Sequence, residues 1–374
     1  LSWKMRVAAA PGLGRKMAIL NSTTPIPTSA ASTFAVSDIA SSSRRLSTSL
    51  RNLATTASST RARKPASRAS MSSAFRTCEH RIRIRPPFVT NSRRAKKEGI
   101  NPDRILDIHQ HTNYSGRTDE QLVAHQRRMG IAKTILLPAG SKYGLAAGAG
   151  GNETVLRIAR QFPDEYLFFA NELPDIPGAR QEIEKYLKLG AIGIGEQKFG
   201  VDCDSKAMQG IFDLARDHQV PVLMHFQHGV YNFGIERLHK MLERYRKVNF
   251  IGHAQTWWGN IDKSHDQAVM YPKTPVTPGG ISDRLLADHP NMYGDLSAGS
   301  GLNALLRDEQ HARAFLARHQ NKLLYGSDCS DRDGEGKGCS GSQQIAAVRR
   351  LAPNPAAVRK IFWGNSARLG LVRK

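Results

Sequence analysis

Four histidines and two acids stand where short apolar runs end. His109 and His111 close RILDIHQH, Glu196 closes AIGIGE, His225 closes VPVLMH, His253 closes VNFIGH and Asp328 closes KLLYGSD. Neutral imidazole and carboxylate are the donors that hold Zn²⁺ and similar divalent ions. Residues two apart on a strand point to the same side, so both imidazoles of the HxH can face one point. A single strand-end histidine is commonly a satisfied structural residue, and HxH alone is a weak signal. The order HxH–Glu–His–His–Asp in one register is a stronger one, because each donor sits at the carboxyl end of its own run.

Positioning such donors requires strands whose ends converge. Short β-branched runs lie at 104–109, 132–138, 165–171, 191–196, 220–225, 248–253, 291–297 and 322–328. Between them are helical patterns such as TDEQLVAHQRRMG, TVLRIARQFP, ARQEIEKYLKLG, AMQGIFDLARDH, GIERLHKMLERYRK and LLRDEQHARAFLARH. Alternating strands and helices imply an α/β fold with a parallel sheet and right-handed crossovers. Eight such units predict a (β/α)₈ TIM barrel, which carries its active site at the carboxyl ends of its strands. No GxGxxG follows the first strand and no GxxxxGK[ST] occurs, which removes the common nucleotide-binding readings. The sixth crossover is long, and its Pro/Gly-rich part predicts a loop over the barrel mouth.

The net charge of +22 in a chain of 374 residues would suggest a nucleic-acid or membrane partner. Its distribution argues otherwise. Residues 1–97 hold 19 Lys/Arg against only Asp38 and Glu79, whereas residues 98–374 hold 35 Lys/Arg and 30 Asp/Glu. The basic segment 1–97 is rich in Ser, Thr, Ala and Arg and has no hydrophobic period, so it is expected to be disordered. It reads either as an organellar transit peptide or as an over-extended reading frame, with Met5, Met17 and Met71 as alternative starts. Localisation is therefore expected to be intracellular, cytoplasmic or organellar. The four cysteines form no CxxC, which favours a reducing compartment, although Cys329 and Cys339 flank one loop and could pair. No apolar run approaches the roughly 18–20 residues of a membrane span. The expected partner is a small-molecule substrate, with no nucleic acid or membrane; a homo-oligomer is compatible with this reading.

DIHQH (107–111), VLMHF (222–226), FIGHA (250–254) and LLYGSD (323–328) together resemble the amidohydrolase superfamily, specifically its amidohydrolase-related branch. The resemblance covers about 104–372, including the closing IFWGNSARLG. It implies that His109, His111, His225 and Asp328 hold a catalytic divalent metal of the zinc type, as one or two ions. It also implies that Asp328 takes a proton from the metal-activated water, and that His253 is a second-site ligand or an acid/base group. Strand 4, IGIGEQKFGVD, is similar to the GExGLD pattern of TatD-type hydrolases, whose Glu bridges two metals. Lys198 is a second option, since a carboxylated Lys near this position bridges metals in other branches. Against these stand an ion pair of Glu196 with Lys198 or a helix-cap contact, and Lys198 as a substrate-anion contact.

Other residues carry open readings. Trp257 and Trp258 either line a substrate pocket or pack their loop on the barrel. Asp107 either sits in the barrel floor or orients His109, Asp295 either bonds a ligand His or substrate or caps a helix, and His228 is peripheral. His80, His125, His218, His239, His265, His289, His311 and His319 read as non-site residues. The expected function is metal-dependent hydrolysis of an amide, lactone or other ester of a small polar molecule. The alternatives are non-oxidative decarboxylation of an aromatic or unsaturated carboxylic acid, and a metal-stabilised binding protein without turnover.

Overall fold

The computed structural model describes residues 104–140 and 148–372. The basic segment 1–97 and its expected boundary with 98–374 lie outside the described residues. Each apolar run forms a strand: β1 (Leu106–Gln110), β2 (Lys133–Leu136), β3 (Tyr166–Phe168), β4 (Ile194–Gln197), β5 (Val222–His225), β6 (Phe250–His253), β7 (Met292–Asp295) and β8 (Leu323–Leu324). All paired neighbours are parallel, in the orders β1-β2-β3 and β4-β5-β6-β7-β8. Ala170 pairs with Ile194 and joins β3 to β4. At the other seam Ile108 N–H donates to Tyr325 O (3.1 Å) and Asp328 N–H donates to His109 O (2.8 Å). These two seams close the eight strands into the expected (β/α)₈ barrel.

The expected helices form outside this ring: α1 (Asp119–Arg128), α2 (Asn152–Gln161), α3 (Ala179–Lys188), α4 (Lys206–His218), α5 (Leu238–Arg244), α6 (Gln255–Gly259), α7 (Ile281–Asp288), α8 (Ala298–Leu306), α9 (Glu309–His319) and α10 (Ser340–Leu351). Thr118 and Gln121 start α1 with a reciprocal capping box, which satisfies two backbone N–H groups that a helix start leaves free. The run LLRDEQHARAFLARH, expected as one helix, is split. Asp308 accepts the His311 N–H at 3.0 Å and so starts α9 afresh, a competition between side chain and helical backbone typical of Asp. No helix among the described residues is long and apolar enough to cross a membrane.

Two apolar layers result. Leu106, Ile108, Ile135, Leu137, Phe169, Leu223, Ile251, Tyr293 and Leu324 fill the barrel interior. Leu136, Phe168, Val222, Met224, Phe250 and Met292 pack outward against the helices. A register irregularity between Asp107 and Gln110 breaks the simple alternation of β1. Asp107 accordingly faces Gln126 of α1 (3.1 Å) rather than sharing His109's inward parity. Its other bonds, from His109 N–H (3.0 Å) and Ser327 N–H (2.9 Å), tie β1 to the segment after β8. Buried Arg117 adds a second clamp, donating to Gln110 Oε1, Cys329 O and Asp331 O.

Close approach at the seam depends on Gly326, where a Cβ would stand 2.6 Å from Asp295 Oδ1 and 2.9 Å from His109 Cβ. Gly252, next to His253, plays the same part on the outer face: a Cβ there would lie 2.4 Å from the Trp257 ring. Gly252→Ala is therefore expected to destabilise the protein by about 1–3 kcal/mol through overpacking. Urea unfolding measures this, and an unchanged midpoint would show that the indole has room to move.

Candidate metal centre

The β1 register, the β8 turn and the closed ring bring the predicted donors to one place at the barrel mouth. His111 Nδ1 lies 2.8 Å from Leu137 O, an acceptor only, so Nδ1 carries a proton and donates it. His109 Nδ1 likewise meets Asp295 Oδ2 at 2.7 Å. In neutral rings both Nε2 atoms are then bare lone pairs, and they face each other at 3.2 Å. Glu196 Oε2 stands 3.7 and 3.5 Å from the two Nε2 atoms, and Asp328 Oδ1 stands 3.9 and 3.5 Å from them. Asp328 Oδ1 is buried and has no hydrogen-bond partner. Ligands about 2.0–2.2 Å from a tetrahedral ion lie about 3.3–3.6 Å from one another, close to the spacing found here. His109, His111 and Asp328 form one donor group within 4.8 Å, and His109, Glu196 and His253 form another; the first, with its unpaired carboxylate oxygen, fits a divalent cation.

The other oxygens of the same two carboxylates face His253, whose Nε2 lies 3.6 Å from Glu196 Oε1 and 3.6 Å from Asp328 Oδ2. Its Nδ1 lies 3.1 Å from Ser297 Oγ and 3.3 Å from Asp295 Oδ2. Glu196 and Asp328 thus stand between the His109/His111 pair and His253.

His225 is placed differently from expectation. Its Nδ1 lies 2.5 Å from Glu196 Oε1, too close for two separate ligands of one ion, so it donates a hydrogen bond to Glu196. Glu196, also one of the expected donors, stands nearer to His109 and His111 through its other oxygen. Lys198 is half-buried with its Nζ 5.6 Å from the Tyr231 ring centroid, and its charge acts on Glu196. Trp257 and Trp258 correct the pocket expectation. Both are buried in the outer core on α6: Trp257 packs against Phe226, and Trp258 packs against Phe315 and donates Nε1–H to Asp295 O at 2.8 Å. A hydrophobic run with Gly on the preceding strand favours this packing over a solvent-facing lid. His228 is exposed and borders a cavity of about 490 Å³ that also touches Gln227 and Asn232; none of the six expected metal donors lines it.

The electrostatics follow from burying acids among imidazoles. Burial disfavours the charged form of His109, but Asp328 and Asp295 outweigh it and hold its pKa well above the ordinary value. Burial likewise raises Asp328, Glu196 and Asp295, yet their neighbours win: His109 depresses Asp328 and Asp295, and His225 with Lys198 depresses Glu196. Burial takes His225 down to about 4 despite Glu196. In the metal-free protein a proton on His109 therefore does part of the work that a cation would do, and cation binding would expel it.

Three further side chains stand beside these donors. Asp295 was legible as a strand-end acid, but its role as the His109 acceptor was one of several options. Ser297 has no distinguishing signal; it donates to Asp295 Oδ2 at 2.8 Å and reaches His253. Tyr114 stacks edge-on to His111 with centroids 5.3 Å apart, and Asp328 together with burial pushes its phenol pKa up, so it stays a proton donor.

Known proteins resemble this chain in sequence over part of its length and in fold. A family described as amidohydrolase matches residues 281–369. No curated protein matches the chain. Among solved structures, an uncharacterised TIM-barrel protein from Bordetella bronchiseptica is 15% identical with a TM-score of 0.52, covering 72% of this chain and 98% of its own. A protein from Acinetobacter baumannii, described as a probable 2-pyrone-4,6-dicarboxylic acid hydrolase with citric acid bound, is 13% identical with a TM-score of 0.51, covering 72% and 100%. A 5-carboxyvanillate decarboxylase from Sphingomonas paucimobilis is 13% identical with a TM-score of 0.49, covering 72% and 99%. At these identities the likenesses with TM-scores of 0.52 and 0.51 establish the barrel fold alone.

Asp295→Asn keeps the shape but removes the anionic acceptor of His109 Nδ1–H. It is expected to weaken divalent-metal affinity about 10–100-fold. Metal titration of the purified variant checks this; wild-type affinity would remove Asp295 from the site's support.

Proposed function

We propose that this chain, with its amidohydrolase match and TIM-barrel fold, is a metal-dependent hydrolase that cleaves an amide, lactone or other ester bond of a small polar substrate. The observation that carries the reading is the convergence of His109 Nε2, His111 Nε2, Glu196 Oε2 and Asp328 Oδ1, with Asp328 Oδ1 lacking any other partner. These residues would hold the ion, and Zn²⁺ suits their chemistry. A divalent ion there supplies a Lewis acid that lowers the pKa of water from about 15.7 towards about 7 and polarises a carbonyl.

The remaining work falls to side chains. Asp328 is 12% exposed where Glu196 is 1%, so Asp328 is the carboxylate that an incoming water can reach. It takes the proton as the water attacks. His253 Nε2, 3.6 Å from Asp328 Oδ2, is positioned to pass that proton to the leaving group. Ser297 and Asp295 hold the far side of the His253 ring and fix its orientation. Tyr114, kept protonated beside Asp328, can donate to a substrate oxygen. His225 orients Glu196 through its short hydrogen bond.

A panel of lactones, esters and amides, with carboxylic acids monitored for CO₂ release, tests the reaction class. Metal-dependent hydrolysis is expected, falling about 10²–10⁴-fold in Asp328→Asn. Metal-dependent CO₂ release without hydrolysis would make the protein a decarboxylase, and retained metal without turnover would make it a binding protein.

Glu196 and Asp328 each offer one oxygen to either side, as a bridge between two ions about 3.5–4 Å apart requires. Glu196→Gln is then expected to drop metal content from two equivalents towards one by elemental analysis. A wild type that saturates at one equivalent would contradict the two-ion reading and leave His253 solely as an acid/base group.

A further inference from the structure

A second cluster of metal-binding side chains lies behind the barrel mouth, between α1 and the loop that follows Asp328. Cys339 Sγ is its hub, standing 3.7 Å from Cys329 Sγ, 3.5 Å from His125 Nε2 and 3.6 Å from Met129 Sδ. His125, Cys329 and Cys339 form a group whose donor atoms all lie within 4.8 Å of one another. All four residues are buried. None of them belongs to the His109/His111/Glu196/Asp328 centre, and none has a part in the hydrolysis described above.

The arrangement follows from local structure. His125 and Met129 are four apart at the end of α1, and that spacing puts them on one face of the helix. Cys329 and Cys339 are the two ends of a loop, and Cys339 is also the residue that caps α10, its sulfur accepting the Ser342 N–H. With bonds of about 2.3 Å to sulfur and 2.0–2.1 Å to nitrogen, a tetrahedral ion separates two sulfurs by about 3.8 Å and a sulfur from a nitrogen by about 3.5 Å. The measured 3.7 and 3.5 Å match those edges. Asp331 Oδ2, 3.8 Å from His125 Nε2, borders the same group. Thiolate, thioether and imidazole together favour soft, thiophilic ions over the hard ions preferred by carboxylates.

We propose that His125, Cys329 and Cys339, with Met129 beside them, form a structural site for a soft metal ion of the zinc or cuprous class. Binding replaces the two thiol protons, which leave to solvent, with two metal–sulfur bonds. The bound ion ties the loop 329–339, and with it the segment directly after Asp328, to helix α1.

Cobalt distinguishes this site from the barrel mouth, because only cysteine sulfur gives a near-ultraviolet thiolate-to-cobalt charge-transfer band. The full-length protein, purified under reducing conditions, is titrated with Co²⁺ and then with Zn²⁺. The expected result is a charge-transfer band that saturates with one equivalent and is displaced by Zn²⁺. It should be lost in Cys329→Ser and in Cys339→Ser and kept in His111→Ala, which disables the mouth alone. Failure of the hydrolase reading leaves this band untouched. Absence of the band from the reduced wild type would overturn the proposal without reliance on any variant. So would a band that survives both cysteine substitutions. A count of two fewer free thiols than the four cysteines of the chain, persisting without a band after purification, would assign Cys329 and Cys339 to a disulfide instead.

Discussion

Bare lone pairs held close together in a dry site repel one another, and this repulsion organises the barrel mouth. His109 and His111 cannot turn away from each other, because each has its Nδ1 proton committed, one to Asp295 and the other to Leu137 O. Their Nε2 atoms therefore meet at 3.2 Å, with Glu196 and Asp328 completing the ring of acceptors. A positive charge stabilises such a group, whether the proton that Asp328 and Asp295 hold on His109 or the divalent ion proposed for this site. The support reaches outward from there: Ser297 holds Asp295, His225 holds Glu196, and Asp107 holds the backbone that carries His109.

Such convergence costs backbone freedom at the strand ends. Asp328, Ala254 and Ala298 all adopt positive φ (39°, 82° and 63°), directly at or after the donors of β8, β6 and β7. For Ala254, with ψ of −169°, this region is essentially a glycine conformation and costs about 1–3 kcal/mol. The surrounding bonds over-determine these turns. Asp328 N–H is held by His109 O, and Ala298 N–H by Ser327 O at 3.1 Å. The seam between β1 and β8 is thus both the closure of the barrel and the frame of the candidate site.

Much of this was legible because strand period and strand ends are local signals. The eight apolar runs became the eight strands, and the donors at their carboxyl ends converged as barrel geometry demands. What escaped were features decided by three-dimensional neighbours. Sequence spacing cannot say which nitrogen of His225 turns to Glu196, or that Asp295 accepts the His109 Nδ1–H rather than capping a helix. The register irregularity in β1 turns Asp107 towards α1, and a missing Cβ at Gly252 drew Trp257 into the core instead of a pocket. His125 looked inert in an amphipathic helix because the cysteines it meets are over 200 residues away.

Anomalous-difference density from crystals of the Zn²⁺-loaded protein, recorded at the zinc edge, tests the central assignment most directly. The expected result is a peak about 2.0–2.2 Å from His109 Nε2, His111 Nε2 and carboxylate oxygens of Glu196 and Asp328. Saturating zinc with no peak among these four residues would contradict it.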